Sequence, residues 1–351
     1  MLKGGGLFLE NILNMEILKN KIHYFKTKNT PILYTVKTNN KADILQQIHS
    51  LFNEKDKFGV FAINQIEALV DSVSSLNKKQ IVFMNTKASN EVRMQAYDIG
   101  VRSFIFDDFE LLKNFAVIVP EKIDIIIRLN VSEICDTTNP YGCSKADFKI
   151  IKDFMKLYGD FKVEVYFDRS IKLKYPLNKK GYLDIKNTLK KVLSYFEWNG
   201  SVLVGGISKL NFNDFTENDC KNIFCFEIGE GIIDGVQDTR CNITSIIKTD
   251  KGINLFVDNS IYNELLDKVL YKKEFKIQTN DFTTYNGSCH HPLYVRVYGN
   301  TCDSKDYIGS FIMSENDLDK LKIGNKIIIR NTGAYGAVFF DNYGKYCNDN
   351  N

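Results

Sequence analysis

"PILYTVKTNNKADILQQIHSLF", residues 31–52, decides how this chain folds. It opens with a continuous apolar run that ends at Lys37. A strand with one wet face would alternate; an unbroken run is expected where both faces of a parallel sheet are covered. After the polar break at 38–40, the apolar residues of "KADILQQIHSLF" recur at helical spacing. A buried strand followed at once by an amphipathic helix is one β/α unit.

The unit recurs. Further runs are "KFGVFA" (57–62), "IVFMN" (81–85), "SFIFD" (103–107) and "IDIIIRLNV" (123–131). "KVEVYFD" (162–168), "SVLVGG" (201–206) and "FCFEIGEG" (224–231) follow, with helical patterns such as "INQIEALVDSV" and "DIKNTLKKVLSYF" between runs. Eight β units with helical crossovers predict a (β/α)8 TIM-like barrel over residues 13–235, small for that fold. The seventh connection, "ISKLNFNDFTENDCKNI" (207–223), has the poorest helical pattern, since its Asn and Asp residues favour turns.

Beyond residue 235 the helical period fades. "CNITSIIKTD", "INLFVDN", "PLYVRVYGN", "DYIGSFIM" and "NKIIIRN" are short β runs with polar breaks. They predict a C-terminal all-β domain over 236–351, joined by residues 1–12.

Composition narrows the function. Among 351 residues, 46 basic and 43 acidic side chains leave a net charge of +3, no footprint for nucleic acid. No apolar run approaches the roughly 20 residues that span a bilayer. The start, "MLKGGGLFLENILNMEILKNKI", is interrupted by Glu10, Asn11 and Asn14 and lacks a signal-peptide core. Eight cysteines show no CxxC pair, which predicts reduced thiols, a cytoplasmic protein and no metal site. His290–His291 reads as a polar turn.

In such a barrel the chemistry sits at the C-terminal ends of the strands. The polar residues there are Lys37, Asn85, Asp107, Arg128 with Asn130, Asp168, Gly205–Gly206 and Glu227. Two readings of Lys37 stand side by side: a lysine snorkelling to solvent, or a desolvated amine able to form a Schiff base with a carbonyl. "YGNTCDSKDYIG" (298–309) poses a similar choice. Cys302 and Asp303 are either part of a polar turn with a half-buried thiol, or a thiol and carboxylate held together to move a proton or grip a charged substrate.

Read together, these stretches resemble one family. "YTVKTNN" resembles the Y-x-V-K-x-N lysine motif of the fold-type III pyridoxal-phosphate enzymes, within them the ornithine, diaminopimelate, lysine and arginine decarboxylase group. "GNTCDSKD" resembles that group's G-x-T-C-D-S-x-D loop, "GAYGAVFFDN" (333–342) its G-A-Y element, and "FEIGEG" (226–231) stands where the group has E-P-G-R. The elements keep the family's order from Lys37 to Tyr335.

The resemblance implies a barrel followed by a β domain, and a homodimer with shared active sites. It further implies a pyridoxal 5'-phosphate-dependent decarboxylase of a basic or diamino acid, or of a related carboxylated polyamine or siderophore precursor. Lys37 would carry the cofactor as a Schiff base, and Glu227 would face the pyridine nitrogen. Gly205, Gly206, Ser170 and Tyr335 would hold the phosphate. Cys302 would protonate the substrate's α carbon, and Asp303 would attract its distal cationic end.

Four positions depart from the pattern. Glu230 replaces an arginine that contacts the phosphate, and Phe167 replaces the histidine that stacks on the cofactor ring. Phe61 replaces an aspartate on the second strand, and the substrate-binding acid near "VDN" aligns with Asn259, or with Asp258 one position earlier. These replacements motivate an alternative: a catalytically degenerate paralogue acting as a regulatory binding protein, as antizyme inhibitors resemble ornithine decarboxylase. A pyridoxal racemase on the same fold is the third reading, disfavoured by the Cys-Asp loop.

Overall fold

The computed structural model describes residues 10–27, 29–135, 139–167, 179–206, 216, 220–263, 265–281, 283–285 and 290–335. The chain divides into two compact units: Lys19–Ile232, and Met1–Leu18 together with Ile233–Asn351. Strand β1 (Glu10–Leu13) and helix α1 (Met15–Lys26) open the chain.

In the first unit, β2 (Ile32–Thr35), β3 (Lys57–Val60), β4 (Ile81–Phe83) and β5 (Ser103–Phe106) are followed by β6 (Asp124–Arg128), β7 (Lys162–Tyr166), β8 (Val202–Gly205) and β9 (Ile223–Glu227). They close into a barrel in sequence order, all parallel, as the apolar runs imply. Helices α2 (Ala42–Leu51), α3 (Ile63–Ser72), α4 (Asn90–Ile99), α5 (Phe109–Ile118), α6 (Lys145–Tyr158) and α7 (Lys179–Tyr195) supply crossovers.

Both strand faces are filled, which is why the runs do not alternate. Inward, Leu33, Val82, Ile105, Ile126, Leu203 and Cys225 form one cluster. Outward, Phe104 meets Phe115 of α5 with ring centroids 5.0 Å apart. Helix starts are set locally: Ser89, Asp108 and Ser144 accept from Val92, Leu111 and Asp147 backbone N–H groups to cap α4, α5 and α6. Connection 207–223 lies mostly outside the described residues.

The second unit is a seven-stranded sheet. Its long strand β10 (Gln237–Thr249) is followed by β11 (Gly252–Val257), β12 (Ile277–Thr279), β13 (Pro292–Tyr298), β14 (Tyr307–Ser314) and β15 (Lys326–Thr332). The order is β12-β15-β10-β11-β13-β14, with β1 pairing β10; only β11 and β13 pair in parallel. Here one face is buried: Cys241, Ile243, Leu255, Val257, Val295, Val297, Ile327 and Ile329 form its core. Strands β1 and β12 are additions to the five runs read from sequence. Among the described residues no helix is long and apolar enough to cross a membrane.

Candidate active site

Along the inward face of the barrel, two residues separate one layer from the next. Past Ile126 on β6 the next inward residue is Arg128, and past Cys225 on β9 it is Glu227. The barrel interior therefore turns from apolar to ionic at the C-terminal strand ends. Glu164 of β7 lies in register with Arg128. Its Oε2 is 3.8 Å from Arg128 Nε, and the guanidinium also lies over the Tyr166 and Tyr141 rings, at 4.6 and 5.4 Å.

The two glutamates are 1% and 5% exposed. Neither oxygen of Glu164 accepts a hydrogen bond, and neither does Glu227 Oε2. Buried charge without such bonds is costly, and the proton is the cheapest remedy. Burial raises the Glu164 carboxyl above its ordinary range, against the pull of Arg128 and Lys37. Burial, with Glu164 nearby, pushes Glu227 up to about 7, partly opposed by Lys37 and Arg128.

Lys37 sits in a single 3-10 turn, Val36–Thr38, that continues β2. Its Nζ lies 4.0 Å from the centroid of the Phe61 ring. The buried hydroxyls of Thr35 and Thr38 brace this turn at 2.9 Å from each other. Gly229 packs against both: a Cβ there would lie 2.1 and 2.2 Å from the two hydroxyl oxygens. Ile228 N donates to Leu33 O at 2.8 Å, so the segment after Glu227 is fastened beside the lysine strand.

The glycine pair has two separate reasons. A Cβ on Gly205 would lie 2.3 Å from Glu227 Oε2 and 2.5 Å from the Tyr166 ring. Gly206 has φ +76°, and a Cβ there would strike the Phe167 carbonyl. Phe167 is buried, its N–H donating to Gly205 O at 3.0 Å.

Around the rim, the buried Asp107 accepts from Lys87 Nζ at 2.8 Å and Gly142 N at 3.2 Å. Arg93 of α4 is fully buried. It donates to the carbonyls of Thr86, at 2.9 Å, and Ala88, and so holds the loop that carries Lys87.

In the sheet unit, Cys302 is exposed and has φ +59°. The loop around it is closed by Asp306, 1% exposed, which accepts from Ile261 N at 2.9 Å and from Thr301 Oγ1 at 2.7 Å. Asp303 accepts from Lys305 N and Tyr262 Oη, both at 2.8 Å, which hold its carboxyl below the usual range. Tyr335 is half-buried with φ +65°.

The structure thus brings Lys37, Glu227, Gly205, Gly206 and Phe167 onto the barrel, and sets Cys302 beside Asp303 in one loop. Ser170 lies outside the described residues. Asn259, expected at the substrate, is fully buried, its amide turned to Cys241 Sγ and its oxygen accepting from Ser260 N. Asp258, the neighbouring alternative, accepts from Asn242 N and Nδ2. Sequence reasoning passed over Glu164 and Arg93. Neither carried a clear sequence signal: in "KVEVYF" Glu164 reads as the polar member of an alternating pair, and Arg93 as a solvated helix residue.

Residues 235–333 match the family described as pyridoxal-dependent decarboxylase, C-terminal sheet domain. The lysine/ornithine decarboxylase of Vibrio vulnificus, solved with cadaverine, superposes with TM-score 0.74 at 15% identity, covering 97% of this chain and 92% of that one. The arginine decarboxylase of Paramecium bursaria Chlorella virus gives TM-score 0.74 at 15% identity, over 96% and 94%. Diaminopimelate decarboxylase from Helicobacter pylori, complexed with L-lysine, gives 0.70 at 16%, over 96% and 89%. The chain matches no curated protein sequence.

Proposed function

We propose that this chain, which carries the sheet domain of the pyridoxal-dependent decarboxylases and the fold of fold-type III pyridoxal-phosphate enzymes, is a decarboxylase of a basic or diamino acid. The observation that carries the reading is Glu227. It is a buried carboxylate with an oxygen that has no partner, in the barrel that presents Lys37.

The residues fit pyridoxal phosphate. Glu227 Oε2 offers an acceptor to a ring N–H, Phe167 offers an apolar ring, and Gly205–Gly206 offer backbone without side chains. Glu230 opposes it, since a carboxylate repels phosphate; its fit requires that this side chain point elsewhere. When bound, the cofactor supplies the electron sink for the charge left as CO2 departs. Lys37 is the amine that tethers it. Glu227 would hold the ring N–H through its carboxylate, with Arg128 and Glu164 paired nearby in the barrel.

We extend the proposal to Ser170 and Tyr335 as donors to the phosphate, and to a homodimer in which the Cys302 thiol of one subunit gives a proton to the substrate's α carbon in its partner's site. Asp303, already an anion braced by two donors, is suited to a cationic substrate end.

Purified protein should show the visible absorbance of lysine-bound cofactor, and Lys37→Ala should abolish both the band and CO2 release over a panel of basic amino acids. Colourless protein that cannot be loaded with cofactor rejects the reading. It would favour instead the regulatory paralogue, for which the Lys37 ammonium resting on Phe61 is the supporting observation. Mixing Lys37→Ala with Cys302→Ala chains should restore part of the activity; no recovery in exchanging dimers removes the shared site.

A further inference from the structure

We propose that Glu164 is a positioning residue that forms, with Glu227, a carboxyl pair sharing one proton, with Arg128 as its anchor. This rests on the reading of Glu227 given above, and adds to the site a residue on which neither the family motifs nor the sequence pattern bears.

Geometry supports it on four counts. Glu164 and Glu227 come from β7 and β9, the two strands that flank β8. Glu227 Oε2 reaches over Gly205 of β8, 2.3 Å from where a Cβ would stand, toward β7, where Tyr166 is in register with Gly205 and Glu164 with Leu203. Three of the four carboxylate oxygens are sealed from solvent and accept no hydrogen bond. Arg128, with Nε 3.8 Å from Glu164 Oε2, also lies over two tyrosine rings.

One arginine cannot neutralise two buried carboxylates. The other charged groups acting on the pair are Lys37 beyond β2 and Asp107 beyond β5, the latter already bound to Lys87. Strands β4 and β8 bring no ionisable side chain. Lys57 on β3 and Lys162 on β7 act instead with Asp124, at the opposite strand ends, and Cys225 lies one layer deeper on β9. With like charges close together in low dielectric, one of the pair keeps its proton until the other has lost its own. Burial and the mutual effect of the two acids act in the same direction. The consequence is that Glu164 sets the pH at which Glu227 becomes the anion that faces the cofactor ring.

The test reads protons directly. Full-length protein freed of cofactor is titrated while the protonated-carboxyl stretch is followed by infrared spectroscopy. The wild type should lose it in two separate steps, the upper near pH 7. Glu164→Gln should move the upper step down by at least one pH unit, a tenfold change in proton affinity. Glu227→Gln should remove the upper step. An upper step unmoved by Glu164→Gln, or a wild type whose carboxyl groups all titrate in the acid range, overturns the pair; the wild-type curve decides even if the variant fails to fold. A protein that titrates in two steps yet never takes up pyridoxal phosphate upholds the pair and removes the decarboxylase reading. Where cofactor binds, the pH at which its affinity changes should shift with the upper step in Glu164→Gln.

Discussion

The barrel mouth and the Cys302 loop treat their acids in opposite ways. In the barrel, Glu164 and Glu227 are buried and short of donors. In the loop, Asp303 and Asp306 accept two and three hydrogen bonds, from backbone and hydroxyl groups alike. A carboxylate that lacks donors is poised to change protonation or take a ligand; one saturated with them is a brace. The first region has unmet acceptors that suit a cationic or N–H group, and the second braces the turn that carries the exposed Cys302. The same residue type is thus left short of donors in one place and saturated with them in the other.

The comparison can be broken experimentally. The largest effect is expected from Asp306→Ala, which strips the acceptor from Ile261 N and from both Thr301 donors. It should cost about 2–4 kcal/mol in denaturant unfolding and, on the proposed role of Cys302, lower turnover by loosening its loop. A neutral result would mean that the loop is not braced. Glu227→Gln should act in the opposite sense on cofactor-free protein. The folded-state value of about 7 stands above the ordinary 4.5, so the stability this group contributes is full below pH 4.5 and lost as pH rises to about 7. Above pH 7 the glutamine variant should therefore be the more stable by about 1–3 kcal/mol, and the advantage should vanish in acid. Unfolding curves at two pH values check the sign. The smallest effect, a slight loss of stability, is expected of Tyr262→Phe, which removes one of the two donors to Asp303. Its stability loss should fade once Asp303 is protonated.

How much of this was legible in the sequence differs between the units for a physical reason. The eight barrel strands announce themselves because burial on both faces demands continuous apolar runs. Strands β1 and β12, with four and three residues, are too short to carry a period and are defined only by their partners. The same double burial that reveals the barrel conceals Glu164: in "KVEVYF" it reads as the polar member of an alternating pair. Arg93 is hidden likewise, since a lone arginine on a helix reads as solvated until the carbonyls that it bonds are in view. Asn259 is a different case. It was placed at the substrate only by alignment with the family's acid near "VDN", and an alignment carries no burial: its amide turns to Cys241 Sγ inside the sheet core. Gly205 and Gly206 were recognisable as a pair, but only coordinates separate the glycine that makes room for Glu227 from the one that needs φ +76°.

With Cys302 as the proton donor proposed above, its positive φ sets stability against activity at a single residue. Glycine adopts φ +59° freely, while a residue with a Cβ sits there at a cost of about 1 kcal/mol. Cys302→Gly is therefore the exchange that drift toward a tighter loop would favour, and the one that removes the thiol. A selection for thermal resistance alone should recover glycine at 302, whereas selection for turnover should hold the cysteine in place. Directed evolution under each pressure would show which of the two this molecule has been living under.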